Sequence, residues 1–149
     1  MIEDLVSPCG LHCGACPLHQ AEQDPELARR LAGVLELEPE EVPCSGCRPT
    51  EGCPTVMKGK QCETYSCVAE RGHAFCHECD SFPCLNLAPC AHRAQNLPHN
   101  TKIYNLLLIQ KEGLQAWAER AAERNRQYFK GVKEDGGAPI EIPVKFEES

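Results

Sequence analysis

Twelve cysteines dominate the chemistry that this 149-residue chain could perform. They fall into three groups, each of which contains two cysteines separated by two residues. This C-x2-C spacing allows a tight turn to direct two thiolates towards one metal ion. Three such pairs in a short chain are strong evidence for metal binding but weak evidence for which metal is bound. The groups are Cys9, Cys13 and Cys16; then Cys44, Cys47, Cys53, Cys62 and Cys67; then Cys76, Cys79, Cys84 and Cys90.

Two kinds of metal site suit ligands of this type. Four thiolates around Zn²⁺ form a closed tetrahedral site that contributes directly to folding, and four thiolates can also hold a [4Fe–4S] cluster. The pairs in CSGC and CHEC are typical of zinc knuckles. The C-x3-C-x2-C spacing of the first group also occurs in radical SAM enzymes, although this chain lacks the βα repeat that such an enzyme needs. We therefore expect two to three Zn²⁺ ions per chain, with a [4Fe–4S] cluster as the alternative.

A closed site at the first group requires a fourth ligand from elsewhere in the chain. His12 immediately precedes Cys13, so the two side chains cannot easily reach one small ion. The candidate fourth ligands are the cysteines of the region 44–67, with Cys53 as the favourite because it is unpaired. A closed site would hold structure, whereas an open fourth position would allow chemistry. The histidines near the cysteines are expected to be solvated or to support the ligands; they are His12, His19, His73, His77 and His92.

Charge and composition limit the classes of protein to which the chain can belong. The formal net charge of -7 disfavours nucleic acid or an anionic membrane as the main partner. Aromatic residues make up only 5% of the chain, which predicts a small apolar core. The longest apolar run, Leu106–Ile109, is too short to span a bilayer, and the N-terminal residues MIEDLVSPCG do not have the apolar segment of a signal peptide. We expect a cytoplasmic protein, where reduced thiols favour metal binding over disulfides.

The helix nearest the first cysteine group is the most clearly signalled element. Asp24 followed by Pro25 is typical of a helix start. The apolar residues that follow recur at helical spacing, and the helix should end near Leu37, because Pro39 disfavours helical geometry in the residue before it. The predicted apolar stripe consists of Leu27, Leu31, Val34 and Leu35.

Three more helices are predicted further along the chain, over 63–71, over 101–112 with Thr101 as its cap, and from 114 to about 129. With Cys62 at its cap, the first of these helices places Cys62 and Cys67 about one turn apart, close enough to share an ion. In the last, Trp117 lies on the apolar stripe and is expected to pack in the core. The fold class is therefore a small, irregular, metal-centred α-rich domain, with short helices linked by cysteine-rich knuckle loops, a helical C-terminal third and little sheet.

The chain is expected to form one compact domain with three regions. Residues 1–100 are the cysteine-rich metal-binding region, and residues 101–130 are the C-terminal helical segment. Residues 131–149 are rich in Gly, Pro and acidic residues, and they are predicted to be a mobile or partner-docked tail.

The ordered series CGLHCGACP, CSGC, C-x4-C and FCHECDSFPC resembles the DUF3795 family of uncharacterised cysteine-rich proteins. The resemblance extends from Pro8 to about Arg126 and implies a zinc-binding protein of unassigned function. Where the family often has a cysteine three residues before Cys62, this chain has Gly59, and Cys53 is the candidate replacement. The positions that match by resemblance are Cys9, Cys13, Cys16, Cys44, Cys47, Cys62, Cys67, Cys76, Cys79 and Cys84.

Two classes of function stay open from the sequence. The first is a small zinc-dependent binding or adaptor module that acts on a protein partner and has no catalytic residues of its own. The second is an iron–sulfur protein that passes electrons or sulfur to a partner enzyme. A thiol–disulfide oxidoreductase is disfavoured, because the C-x2-C pairs lack a βαβ setting. A non-enzyme is the favoured class, and the sequence indicates neither a substrate nor an oligomeric state.

Overall fold

A computed structural model of the protein describes residues 1–88 and 98–130. These residues form five α-helices joined by turns and short 3₁₀-helices, and their only strand-like pairing is one antiparallel bridge between Val6 and His12. The predicted helical fold with little sheet is confirmed in this part of the chain. Cys90, His92 and the tail 131–149 lie outside the described residues. The helices are α1 (Pro17–Gln20), α2 (Pro25–Leu35), α3 (Glu63–Glu70), α4 (Lys102–Glu112) and α5 (Leu114–Lys130).

Helix α2 begins as predicted. The Asp24 carboxylate accepts hydrogen bonds from the backbone N–H groups of Glu26 at 3.0 Å and Leu27 at 2.9 Å, which satisfies two donors of the first turn. The prediction that Val34 lies on the buried face is wrong, since it is 69% exposed and Ala28 and Ala32 are buried instead. The small core around this helix contains Leu18, Ala21, Ala28, Ala32, Val42 and Cys44.

Helices α4 and α5 have the predicted bounds to within a residue, with Gly113 between them at a φ of 85°. Thr101 precedes α4 as predicted, but its hydroxyl donates to the carbonyl of Pro98 at 2.6 Å and does not cap the helix. Trp117 is only 1% exposed, so its predicted place in the core is confirmed.

The larger hydrophobic core joins the cysteine-rich segments to the C-terminal helices and therefore crosses the predicted boundary at residue 100. None of the helices in the described ranges has both the length and the apolar character that a membrane span requires. The core contains Val6, Val68, Phe75, Cys76, Leu87, Leu106, Leu108, Ile109, Trp117 and Ala121.

Helix α4 packs directly against the backbone of the first cysteine motif at Gly10. This residue has a φ of 86°, and a Cβ atom on it would lie 2.9 Å from the Leu106 side chain and 3.0 Å from the Lys102 carbonyl oxygen. The amide of Asn105 donates to the Gly10 carbonyl at 2.8 Å. Glycine is therefore required here both by the backbone conformation and by the close approach of the helix.

Gly52 fixes the loop between the second cysteine motif and α3, and its replacement by alanine should destabilise the protein. Its N–H donates to the Cys47 carbonyl at 2.9 Å, and its carbonyl accepts from the Cys62 N–H at 2.8 Å. At a φ of 85°, an added Cβ would lie 2.6 Å from the Tyr65 ring. Backbone strain and overpacking together should cost Gly52→Ala about 3 kcal/mol of unfolding free energy, measured by urea denaturation.

Gly59→Ala is the matched control for this prediction. Gly59 also has a positive φ, of 75°, but nothing lies within 4 Å of an added Cβ. Its replacement should cost about 1 kcal/mol, which is the strain alone. Equal losses in the two variants would contradict the tight packing of Gly52 on Tyr65.

Candidate metal centre

The first cysteine motif is a series of tight turns in which backbone and hydroxyl groups approach the sulfurs. The Ser7 hydroxyl lies 3.1 Å from the Cys9 Sγ atom. Burial raises the pKa of Cys9, and the hydrogen bonds from Ser7 and from the Leu11 N–H lower it by less. Such hydrogen bonds favour the thiolate, which is the form that binds metal.

Cys13 and Cys16 bracket a 3₁₀ turn in which the Cys16 N–H donates to the Cys13 carbonyl at 2.8 Å. Burial raises the pKa of both thiols, while backbone N–H groups lower it: that of Cys47 for Cys13, and those of Leu18 and His19 for Cys16. Each sulfur therefore faces N–H donors that would stabilise a thiolate.

The second motif lies beside the first because its backbone pairs with the start of α1. The Cys44 N–H donates to the Leu18 carbonyl at 3.1 Å, and His19 Nδ1 lies 3.0 Å from the Cys44 carbonyl oxygen. The Cys44 thiol also raises the pKa of both Cys13 and Cys16, which places the three sulfurs in one neighbourhood. We call Cys13, Cys16, Cys44 and Cys47 the N-terminal thiol group.

The third motif and α3 form a second neighbourhood of thiols. Burial and, by less, repulsion from neighbouring thiols raise the pKa of Cys76 to about 12. The exposed guanidinium of Arg71 also hydrogen-bonds the Cys67 thiol and lies 3.7 Å from the Cys79 sulfur, so one cation reaches two of these thiols. We call Cys67, Cys76, Cys79 and Cys84 the C-terminal thiol group.

Cys9 and Cys62 lie between the two thiol groups. Cys62 occupies the position before α3, as predicted. Burial and, by less, repulsion from Cys9, Cys13 and Cys62 raise the pKa of Cys47 to about 12. Cys9 also acts on Cys76, so it is near both groups. Cys62 acts on Cys9 and Cys47, and Cys67 acts on Cys76. That Cys62 and Cys67 share an ion stays a prediction.

Arg48, directly after the second motif, joins the segments that carry all three motifs. Its Nε donates to the Val6 carbonyl at 2.9 Å, and its Nη2 donates to the Ala74 carbonyl at 2.6 Å. The guanidinium carbon also lies 4.8 Å from the centre of the Phe75 ring. Nothing in the sequence distinguished this arginine from a solvated one, because its partners are carbonyl oxygens from distant segments.

The structure places Cys53 in a setting different from the predicted one. Its sulfur donates to the Gln61 side-chain oxygen at 3.0 Å, and Gln61 in turn donates to the Glu51 carbonyl at 2.7 Å. The thiol of the second motif that acts on both Cys13 and Cys16 is Cys44. Sequence spacing favoured Cys53 because it is unpaired along the chain, but the backbone pairing of Cys44 with α1 cannot be read from spacing.

The two thiol groups are neighbourhoods of potential ligands and not assembled ligand shells. Within residues 1–88 and 98–130, no three Cys, His, Asp or Glu side chains form a group that could hold a metal ion. The eleven cysteines in these ranges are all free thiols. Sulfur donors of this kind suit Zn²⁺ and iron–sulfur clusters, and they do not suit Mg²⁺ or Ca²⁺.

Comparison with known families gives one match. Residues 5–89, which are more than half of the chain, match the family model described as "Protein of unknown function (DUF3795)". This range contains both thiol groups. No curated protein and no solved structure matches the chain.

Replacing Arg48 by lysine should destabilise the protein by about 2–3 kcal/mol in unfolding free energy. A lysine ammonium keeps the charge but cannot donate to the Val6 and Ala74 carbonyls in the same fixed geometry, and each unsatisfied buried acceptor costs about 1–3 kcal/mol. Urea denaturation measures the loss. Arg30→Lys, at an exposed position of α2, is the control and should change stability by less than about 0.5 kcal/mol. A similar result for both variants would show that Arg48 does not hold the motifs together.

Proposed function

The chain belongs to the DUF3795 family, and because the family's description assigns no function, we propose from the geometry of the thiols that the protein binds zinc, mainly to hold its fold. One ion belongs to the N-terminal thiol group and one to the C-terminal thiol group. Cys9 and Cys62 lie between these two sites.

The observation that carries the proposal is the gathering of free thiols from separate parts of the chain. Cys13 and Cys16 meet Cys44 through hydrogen bonds that connect α1 to the second motif. Cys67 on α3 meets the third motif around Cys76. Buried thiols close together do not attract one another, so their convergence is explained best by a shared cation that binds them as thiolates.

Arginine and lysine side chains lie beside the cysteines that would carry the negative charge of a metal site. Four thiolates on one Zn²⁺ carry a net charge of about -2, in a chain whose own net charge is -7. Arg48 lowers the pKa of Cys47, although burial raises it by more, and Lys102 has the same effect on Cys9. Arg71 contacts Cys67 and Cys79. These cations favour the thiolate over the thiol and would offset the charge of a filled site.

A structural role for the metal fits the size of the core. The apolar clusters are small, and several of their members are cysteines or alanines. Each structural zinc site can add on the order of 10 kcal/mol to the free energy of folding at neutral pH. Binding must displace protons from thiols whose pKa is raised by burial, and it must draw the sulfurs of each group together by side-chain rotation. The metal thereby completes a fold that the core alone holds weakly.

We also propose a cellular compartment and a kind of partner for the protein. Free thiols in such number require a reducing compartment, which favours the cytoplasm. A chain that carries a net charge of -7 and metal sites closed by four thiolates suits a small adaptor that binds another protein. Electron or sulfur transfer through an iron–sulfur cluster is the alternative that the same ligands allow.

The zinc content of two matched variants tests the site assignment. Protein purified without oxygen should contain about two zinc ions per chain, since each closed site takes four thiolates. Cys44→Ser should lose about one of them and several kcal/mol of stability, because its thiol belongs to the N-terminal group. Cys53→Ser should keep both ions, because Cys53 pairs with Gln61. Elemental analysis and urea denaturation provide the two measurements.

Two results would contradict this assignment. Loss of zinc from Cys53→Ser but not from Cys44→Ser would restore Cys53 as the ligand of the first motif. Bound iron and sulfide with brown absorption, in place of zinc, would favour the iron–sulfur alternative.

A further inference from the structure

A small cavity lies between the first cysteine motif and the C-terminal helices. The loop contributes Leu11 and His12, α4 contributes Asn105, and α5 contributes Trp117 and Arg124. The cavity has a volume of about 20 Å³, which is the space that one water molecule occupies. The cysteine motif and the helices therefore meet around a space for a single small ligand.

Two ring nitrogens at this cavity have no hydrogen-bond partner among the described residues. They are His12 Nδ1 and Trp117 Nε1, and both are buried. The two rings meet edge to face, with their centres 5.7 Å apart and their planes at 89°. A buried polar atom without a partner is uncommon in folded proteins and indicates a bound water molecule or ion.

Two other polar groups around the cavity, those of Asn105 and Arg124, already have partners. The Asn105 amide donates to the Gly10 carbonyl at 2.8 Å and to the Thr101 hydroxyl at 3.2 Å. Arg124 donates to both oxygens of Glu112, at 2.6 Å and 3.1 Å. The ligand must therefore satisfy His12 and Trp117 first.

The chemistry of the two nitrogens defines the ligand. An indole N–H can only donate, so the ligand must accept a hydrogen bond from Trp117. A neutral imidazole nitrogen either donates or accepts, according to its tautomer. We propose that the cavity holds one ordered water molecule, which accepts from Trp117 Nε1 and is hydrogen-bonded to His12 Nδ1.

Size and charge favour water over other occupants. The volume is too small for an organic molecule. The guanidinium of Arg124, which lines the cavity, is already paired with the carboxylate of Glu112. The water joins the residue before Cys13 to α5, so it belongs to the interface that sets the first motif against the helices.

The single tryptophan of the chain makes the site directly observable by NMR. In ¹⁵N-labelled full-length protein, as purified with its native metal, the Trp117 indole N–H should give one cross peak to water. Its sign should be that of a long-lived bound water. In His12→Phe, a ring of similar shape remains but the second partner is removed, and this cross peak should be lost.

Two further measurements keep the result unambiguous. The His12→Phe variant must retain dispersed backbone signals and a buried tryptophan emission maximum, which show that it is folded. Thr101→Val removes a neighbouring hydroxyl that could relay the water signal, and the cross peak should persist in it. Any of three results would overturn the proposal. The wild-type protein shows no cross peak, or a folded His12→Phe variant retains it, or Thr101→Val loses it.

Discussion

The guanidinium of Arg48 is the contact on which the arrangement of the cysteine motifs depends. It follows the second motif, donates to the carbonyl of Val6 before the first, and donates to the carbonyl of Ala74 before the third. One planar group thus satisfies two carbonyls that are otherwise remote in the chain, while its face lies over Phe75. Arginine can do this because its donors are fixed in a rigid fork. The thiols of separate motifs become neighbours as a consequence.

The zinc sites that we propose and the rest of the fold would support one another. The close approach of α4 to Gly10 and the burial of Trp117 hold the first motif against the helices. The pairing of Cys44 with the start of α1 brings the second motif to it. These contacts gather the thiols but leave them protonated and unattached, since burial raises the pKa of several of them. A metal cation bound in each group would replace the unfavourable burial of these thiols by metal–thiolate bonds that stabilise the fold.

Local signals predicted the helices well, whereas the contacts that bring the cysteine motifs together could not be read from the sequence. The start of α2 at Asp24 and the break at Gly113 are properties of short segments, and sequence alone located both. Val34 is exposed because the face of α2 that packs on the core consists of Ala28 and Ala32 together with its partly buried leucines, and Val34 lies off that face. The pairing of Cys44 with Leu18 is a backbone hydrogen bond across 26 residues, and the role of Arg48 depends on distant carbonyls. Neither kind of contact leaves a pattern in the sequence.

The most direct test of the central claim is circular dichroism before and after the metal is removed. A strong chelator should take the zinc from the protein, and we expect the helical signal then to fall, because the binding energy of structural zinc is folding energy. Adding zinc back under reducing conditions should restore the signal. An unchanged spectrum, in protein shown by elemental analysis to have lost its metal, would contradict the claim that metal holds this fold together.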